Sequence, residues 1–254
     1  MDDAALTQAI ESNAADLLMA MGTAGDGEQR SDSAARWTIG GSPIDYHNAV
    51  VAASGVEVVA ESVEVLRRRE VPGTWHLGPA MRSDELVQAL LAAGFTDGGA
   101  EPGMAVRIAH LVSPAAVPGL EIVRVTDDDA LAVWERTLGR GFGEGEREAR
   151  WVASVYRKLG FADPWRHYLG LLNGEPVATT TIFLTTGVAG VYFVMTVPEA
   201  RRRGIGAAIT HAALTQAADV AEYGVLGSSP AGKPVYERLG FREKCTIELY
   251  EWAG

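Results

Sequence analysis

The chain has one cysteine, Cys245, in 254 residues. That excludes an internal disulfide and any cysteine-built metal site, and no metal is expected. Positive charge is also short: 22 Lys and Arg against 33 Asp and Glu give a formal net charge of -11. Such a chain is not expected to bind nucleic acid or a membrane surface, and an anionic ligand needs a local basic spot. The start, Met1-Asp2-Asp3, lacks the basic segment of a secretory signal, so a cytoplasmic protein is expected. No early Gly-x-Gly-x-x-Gly fingerprint is followed by an acidic residue about twenty positions on, which argues against dinucleotide binding. Charge is absent altogether from Val177 to Val197, a run long enough to cross a bilayer. Yet its six threonines, with Gly187 and Gly190 near the middle, read as two paired buried strands, so no membrane span is expected.

What is present suits a packed core, with 47% hydrophobic residues. A first series of elements is predicted. It opens with a helix over 3–21, striped by Leu6, Ile10, Leu17, Leu18 and Met21. A loop over 22–28 and strands over 35–39 and 46–53 follow. The next helix, 56–69, ends in Arg67-Arg68-Arg69, which suits its negative end. A short strand at 74–77, a helix from Ser83 to Gly94-Phe95 and a strand at 104–108 complete the series. Pro114 to Gly119 reads as a linker. The second series has a strand at 121–125, a helix at 130–138 capped by Asp127, a glycine-rich loop at 139–145 and a helix at 146–159. Strands at 166–172, 177–186 and 189–197 follow, the first turning at Asn173-Gly174. A helix after Gly204, a strand at 225–228, a helix at 233–239 and a strand at 242–252 close the chain. The two series share their order. Leu90-Leu91-Ala92-Ala93-Gly94-Phe95 sits where Tyr236-Glu237-Arg238-Leu239-Gly240-Phe241 sits later, which suggests a duplicated module. The expected fold class is α/β (α+β), in two domains, 1–115 and 119–254.

The chemistry-bearing stretch is Arg201-Arg202-Arg203-Gly204-Ile205-Gly206, an Arg-x-x-Gly-x-Gly loop after a strand and before a helix. Such a loop offers backbone N–H groups and a helix dipole to phosphate. Together with Tyr236 to Phe241 and the flanking Val197-Pro198, it resembles the GCN5-related N-acetyltransferase superfamily over about residues 120–252. The resemblance implies modules with a mixed, mostly antiparallel central sheet flanked by helices. It implies acetyl-CoA as co-substrate, with its pyrophosphate on Arg202, Arg203, Gly204, Ile205, Gly206 and Ala207 and its pantetheine arm along Met195, Thr196 and Val197. Tyr236 falls on the family's general-acid position, where its hydroxyl would protonate the leaving thiolate. Ser229 stands where many relatives carry an asparagine that touches the cofactor arm.

Other positions depart from the family pattern. Many relatives place a glutamate on the fourth strand, but 189–197 has no acidic residue. Glu144, Glu146 and His167 are alternative bases, each with a structural reading beside it: solvated helix-start charges for the glutamates, a core side chain for His167. The loop 139–145 stands where acceptors bind in the family, so Phe142, Glu144 and His167 are the candidate acceptor residues. The first half has neither the glycine loop nor the tyrosine: Ala53-Ser54-Gly55-Val56 and Leu90 take those places. It is expected to be a degenerate copy that does not bind coenzyme A in this way. The expected reaction is transfer of a short acyl group from acyl-CoA to a primary amine of a small molecule. A protein amine, a non-catalytic coenzyme A sensor and a homodimer remain open.

Overall fold

Apolar spacing produces the predicted helices, and the caps fix their starts. The computed structural model describes residues 1–254. In chain order the first elements are α1 (Asp3–Ala24), β1 (Glu28–Ser31), β2 (Ala35–Ile39), β3 (Ala49–Ala53), α2 (Glu57–Arg69), β4 (Gly73–Leu77), α3 (Asp84–Ala92) and β5 (Thr96–Arg107). Then come β6 (Leu120–Val125), α4 (Asp128–Gly139), α5 (Glu146–Leu159), β7 (Trp165–Leu172), β8 (Glu175–Thr185), β9 (Gly187–Thr196), α6 (Ile205–Ala217), β10 (Ala221–Gly227), α7 (Lys233–Arg238) and β11 (Arg242–Trp252). Asp2, Ser83 and Asp127 cap α1, α3 and α4 by accepting from Ala5, Leu86 and Ala130 N–H at 2.9, 3.1 and 2.8 Å. Each such cap is typically worth about 1 kcal/mol.

By packing, the chain forms two compact units: Met1–Gly103 with Cys245–Gly254, and Met104–Lys244. This division differs from the linker boundary at 115–119. The linker lies inside the second unit, and the last strand returns to the first. The cause is strand pairing, which composition does not encode. In the first unit the sheet order is β1-β2-β3-β4-β11-β5. There β11 runs antiparallel to β4, with Glu248 opposite Leu77 and Trp252 opposite Gly73. The parallel pair β3–β4 joins only at Ala49–Thr74 and Val50–Trp75. Trp37, Leu66, Trp75, Leu90, Phe95 and Trp252 form its buried core. The Trp75 indole donates to the Ser62 hydroxyl at 3.2 Å.

Two strands of this unit escape the sequence prediction. β5 starts at Thr96, so most of it, with Gly98, Gly99, Pro102 and Gly103, lies ahead of the strand expected at 104–108. A Cβ at Gly103 would lie 2.4 Å from Cys245 Sγ, and one at Gly98 2.5 Å from a Glu251 carboxylate oxygen. These glycines answer a close approach of strands, not a turn. β1 is wholly polar. Arg30 anchors it, lying 4.8 Å over the Trp37 ring and pairing with Asp32 and Glu61.

In the second unit the order is β5-β10-β9-β8-β7-β6, with Met104–Arg107 supplying the β5 part. The uncharged run forms the antiparallel pair β8–β9, as its threonines and glycines predict. No helix of the chain is long and apolar enough to cross a membrane. β9 and β10 are parallel from Gly187–Ala221 to Gly190–Val225, and there the pairing stops. β9 continues to Thr196, so its far half is unpaired on the β10 side.

Candidate active site

The open edge of β9 leads straight to the glycine loop. Val197 still pairs backward, donating to Val177 O at 2.9 Å. Beyond it a single 3-10 turn, Pro198–Ala200, carries the chain to Arg201. Arg202 (φ +61°) and Gly204 (φ +82°) are both left-handed. A left-handed arginine is uncommon and costs free energy that the surroundings must offset. Gly204 is the N-cap of α6, and no side chain caps that end. The first amides of α6 therefore lack a side-chain acceptor, a ready anion site. A Cβ at Gly206 would meet only the Thr196 hydroxyl, at 3.6 Å, so packing within the protein does not demand glycine there. Space left open at an uncapped helix start fits a phosphate group. Arg202 and Arg203 are exposed and hold no acidic partner, which leaves their charge for a ligand. Ile205 is buried and anchors the helix start; Ala207 is half-buried one turn into it. Met195 at the end of β9 and Val197 just after it are buried, while Thr196 between them is half-buried.

Tyr236 lies on α7, a short helix with Pro234 near its start. Its ring meets Phe241 edge-on at 5.7 Å, and Phe241 N–H returns to Tyr236 O at 3.0 Å across Gly240 (φ +100°). The side chain is half-buried, and its hydroxyl has no hydrogen-bond partner in the protein. Burial pushes the phenol's pKa up, so it stays protonated and able to donate. Ser229 is engaged locally: its hydroxyl accepts from Gly232 N–H at 3.1 Å and shapes the turn into α7.

The three acceptor candidates separate in space. Phe142 is half-buried, with its ring 5.4 Å from Phe193. Glu144 is exposed and paired with Arg147 at 3.0 Å. His167 is fully buried, its ring tilted against Tyr156 at 4.1 Å, with Trp134 at 6.1 Å. Its Nδ1 meets the Thr181 hydroxyl at 2.9 Å. Burial lowers its pKa to about 3, so it is neutral near pH 7. As the chain stands, solvent does not reach it.

Three features were not legible from the pattern. Phe193 (φ +51°) is an inserted residue: the β8–β9 register shifts between Thr181–Tyr192 and Thr179–Met195. This bulge sits midway along the open half of β9, and bulges recur beside active sites. The Thr179 and Thr180 hydroxyls donate to Phe193 O and Tyr192 O at 2.9 and 3.2 Å. An uninterrupted apolar run gives no sign of it. Arg201, first in the glycine motif, turns away from the loop amides and donates to Thr196 O and Gly141 O at 2.9 and 3.1 Å. Glu148 is buried beneath the 139–145 loop and accepts from Glu144 N–H at 3.0 Å. Gly145 offers no capping side chain, so the pattern before α5 carries no capping box to signal it.

An Acetyltransferase (GNAT) domain family profile matches residues 171–251. No curated protein sequence matches the chain. Among solved structures, a GCN5-related N-acetyltransferase from Kribbella flavida superposes with a TM-score of 0.69 at 20% identity, over 94% of this chain and 96% of its own. A functionally unknown conserved protein from Staphylococcus epidermidis ATCC 12228 gives 0.70 at 14% identity, over 90% and 95%. A tandem GNAT protein from the clavulanic acid biosynthesis pathway gives 0.60 at 15%, over 88% and 81%. Splayed β9 and β10, the glycine loop at the start of α6 and the matched profile agree: the chain has the fold of the GCN5-related N-acetyltransferases, and residues 171–251 match the GNAT domain profile.

Proposed function

We propose that the second unit transfers an acetyl, or another short acyl, group from acyl-CoA to a primary amine of a small molecule. The observation that carries this is the open edge of β9 running into an uncapped helix start with two unpaired arginines. In this reading the pyrophosphate lies on the amides from Arg202 to Ala207, and the pantetheine arm adds to β9 along Met195, Thr196 and Val197. The amine nitrogen attacks the thioester carbonyl, the C–S bond breaks, the thiolate takes a proton from the Tyr236 hydroxyl, and the proton that the nitrogen sheds on becoming an amide returns through solvent to restore the phenol. The products are the amide and free coenzyme A. β9 offers no carboxylate, so the amine enters unprotonated. The first unit, with no glycine loop, is assigned a supporting role as a degenerate copy.

The alternative is a coenzyme A-binding module without chemistry. The missing strand carboxylate favours it, and the protonated, unpartnered Tyr236 hydroxyl opposes it. Thiol release from acetyl-CoA across a panel of small amines separates the two. At least one amine should accelerate release, and Tyr236→Phe should lower kcat by about a hundredfold to ten-thousandfold, the usual range for losing a positioned acid. Release that no amine accelerates, with coenzyme A bound, selects the non-catalytic module. A rate that survives Tyr236→Phe removes the acid role alone.

A further inference from the structure

The loop that faces the phosphates and the loop that faces the acceptor are tied together in the second unit. Three contacts make the tie. Arg201 reaches from the phosphate-side segment with two separate donors, one to Thr196 O at 2.9 Å and one to Gly141 O at 3.1 Å. Glu199, in the 3-10 turn just before it, pairs with Arg140 at the C-terminal end of α4. The Gly141 backbone closes on the same turn, since a Cβ there would lie 3.3 Å from Pro198 Cδ. At its other end the acceptor-side loop is fastened by Glu148, which accepts from Glu144 N–H at 3.0 Å.

Phe142 hangs between these two fastenings. Gly143 (φ +47°) and Gly145 (φ +68°) follow it and let the backbone turn, so its position depends on the anchors more than on local stiffness. Its ring rests on Phe193, the bulged residue of β9. One anchor is thus built on the segment 198–201, whose next residues, Arg202 to Gly206, form the anion site. Arg202 is left-handed and exposed, a conformation that a bound phosphate would hold in place.

We propose that Arg201 is a positioning residue that couples the two loops: an anion on Arg202–Ala207 fixes Arg201, Arg201 fixes Gly141, and Gly141 sets Phe142 against β9. Arg201 touches neither substrate. Its role follows from a forked side chain that donates to two carbonyls on two segments, which a lysine ammonium on its single flexible stem does not reproduce. The Arg140–Glu199 pair supports the same tie from the acceptor side. This proposal rests on the pyrophosphate assignment above. Because cofactor occupancy and Phe142 position are coupled, the coupling is reciprocal for binding: whatever orders Phe142 also tightens coenzyme A.

The test is amide hydrogen exchange with coenzyme A alone as the probe, beside its affinity by calorimetry. In the wild type, coenzyme A should slow exchange at residues 141–145 by about tenfold, besides protecting 202–207. In Arg201→Lys the affinity should fall by no more than about tenfold, protection at 202–207 should persist, and protection at 141–145 should disappear. Glu199→Gln should weaken the loop protection without removing it. A purely structural arginine would lose protection throughout the unit, or nowhere. Binding that protects 202–207 but leaves 141–145 unchanged in the wild type overturns the coupling and spares the pyrophosphate reading. Equal loop protection in wild type and Arg201→Lys also overturns it. No coenzyme A binding to the wild type overturns both.

Discussion

Two helix–turn segments, one in each unit, have the same backbone and different chemistry. Leu90 to Phe95 and Tyr236 to Phe241 both end in a glycine with φ near +100°, Gly94 at +98° and Gly240 at +100°. In both, the phenylalanine N–H returns to the residue five positions back, Phe95 to Leu90 at 3.1 Å and Phe241 to Tyr236 at 3.0 Å. Both rings are buried. Yet Leu90 is sealed in the core while Tyr236 keeps an unpartnered hydroxyl. The parallel strands repeat the contrast. β3–β4 and β9–β10 both part early, but α6 starts with open amides and free arginines. At the start of α2, the Glu57 carboxylate folds over Gly55, so close that a Cβ there would lie 2.3 Å from it. The helix that lacks a glycine loop carries its own anion in that place. A shared backbone therefore does not fix the chemistry that a segment offers; the side chains at two or three positions set it apart.

The largest effect expected is at the glycine loop. Gly206→Glu should abolish coenzyme A binding, a loss of about 4 kcal/mol or more, while Gly55→Glu should leave it unchanged. Calorimetry reads both, and retained affinity in the first variant would erase the contrast. Next comes stability. Leu90→Ala should cost about 2–5 kcal/mol by opening a cavity in the core, whereas Tyr236→Phe removes only an unbonded hydroxyl and should leave the urea midpoint nearly unmoved. Equal losses would mean that Tyr236 is as structural as Leu90.

A third effect involves one histidine in each unit. Burial lowers the pKa of His76 to about 4 and that of His167 to about 3. The unfolded chain takes up these protons near pH 6.5, but the folded chain resists until much lower. Stability from each is full above about pH 6.5 and falls on acidification, by at most about 1.4 kcal/mol per pH unit, until its folded pKa is reached. Denaturation between pH 7 and 4 should show a shallower decline in His76→Gln and in His167→Gln than in wild type. Parallel slopes would mean that neither histidine is held neutral. The smallest effect is at Glu57→Ala, which should cost about 0.5 kcal/mol from the start of α2. Coenzyme A affinity should not change; a gain would show that one carboxylate separates the two loops.

The sequence made most elements legible because amphipathic stripes and caps act locally. α5 matches its predicted span, and the uncharged run is the strand pair its threonines and glycines suggest. The glycine loop was legible as well, because φ > 0 and space for an anion both select glycine. The bulge at Phe193 was not: it is a mismatch of two strands and exists only in their pairing. The backbone contacts of Arg201 were hidden for the same reason, since they depend on what the fold brings beside it, whereas the burial of His167 matches the core reading of that position. β5 was misjudged because its glycines serve a neighbour, not a turn.

That neighbour has a consequence for synthesis. The first unit lacks one of its inner strands until β11 exists, and Leu77 waits for Glu248. On the ribosome, the second unit's helices and its strands β6 to β10 emerge before the first unit can close its sheet. Until then, β4 offers an unpaired edge to any nascent strand nearby, its own or another chain's. Emergence of β11, not of the first hundred residues, sets the moment at which the first unit can close its sheet against mispairing.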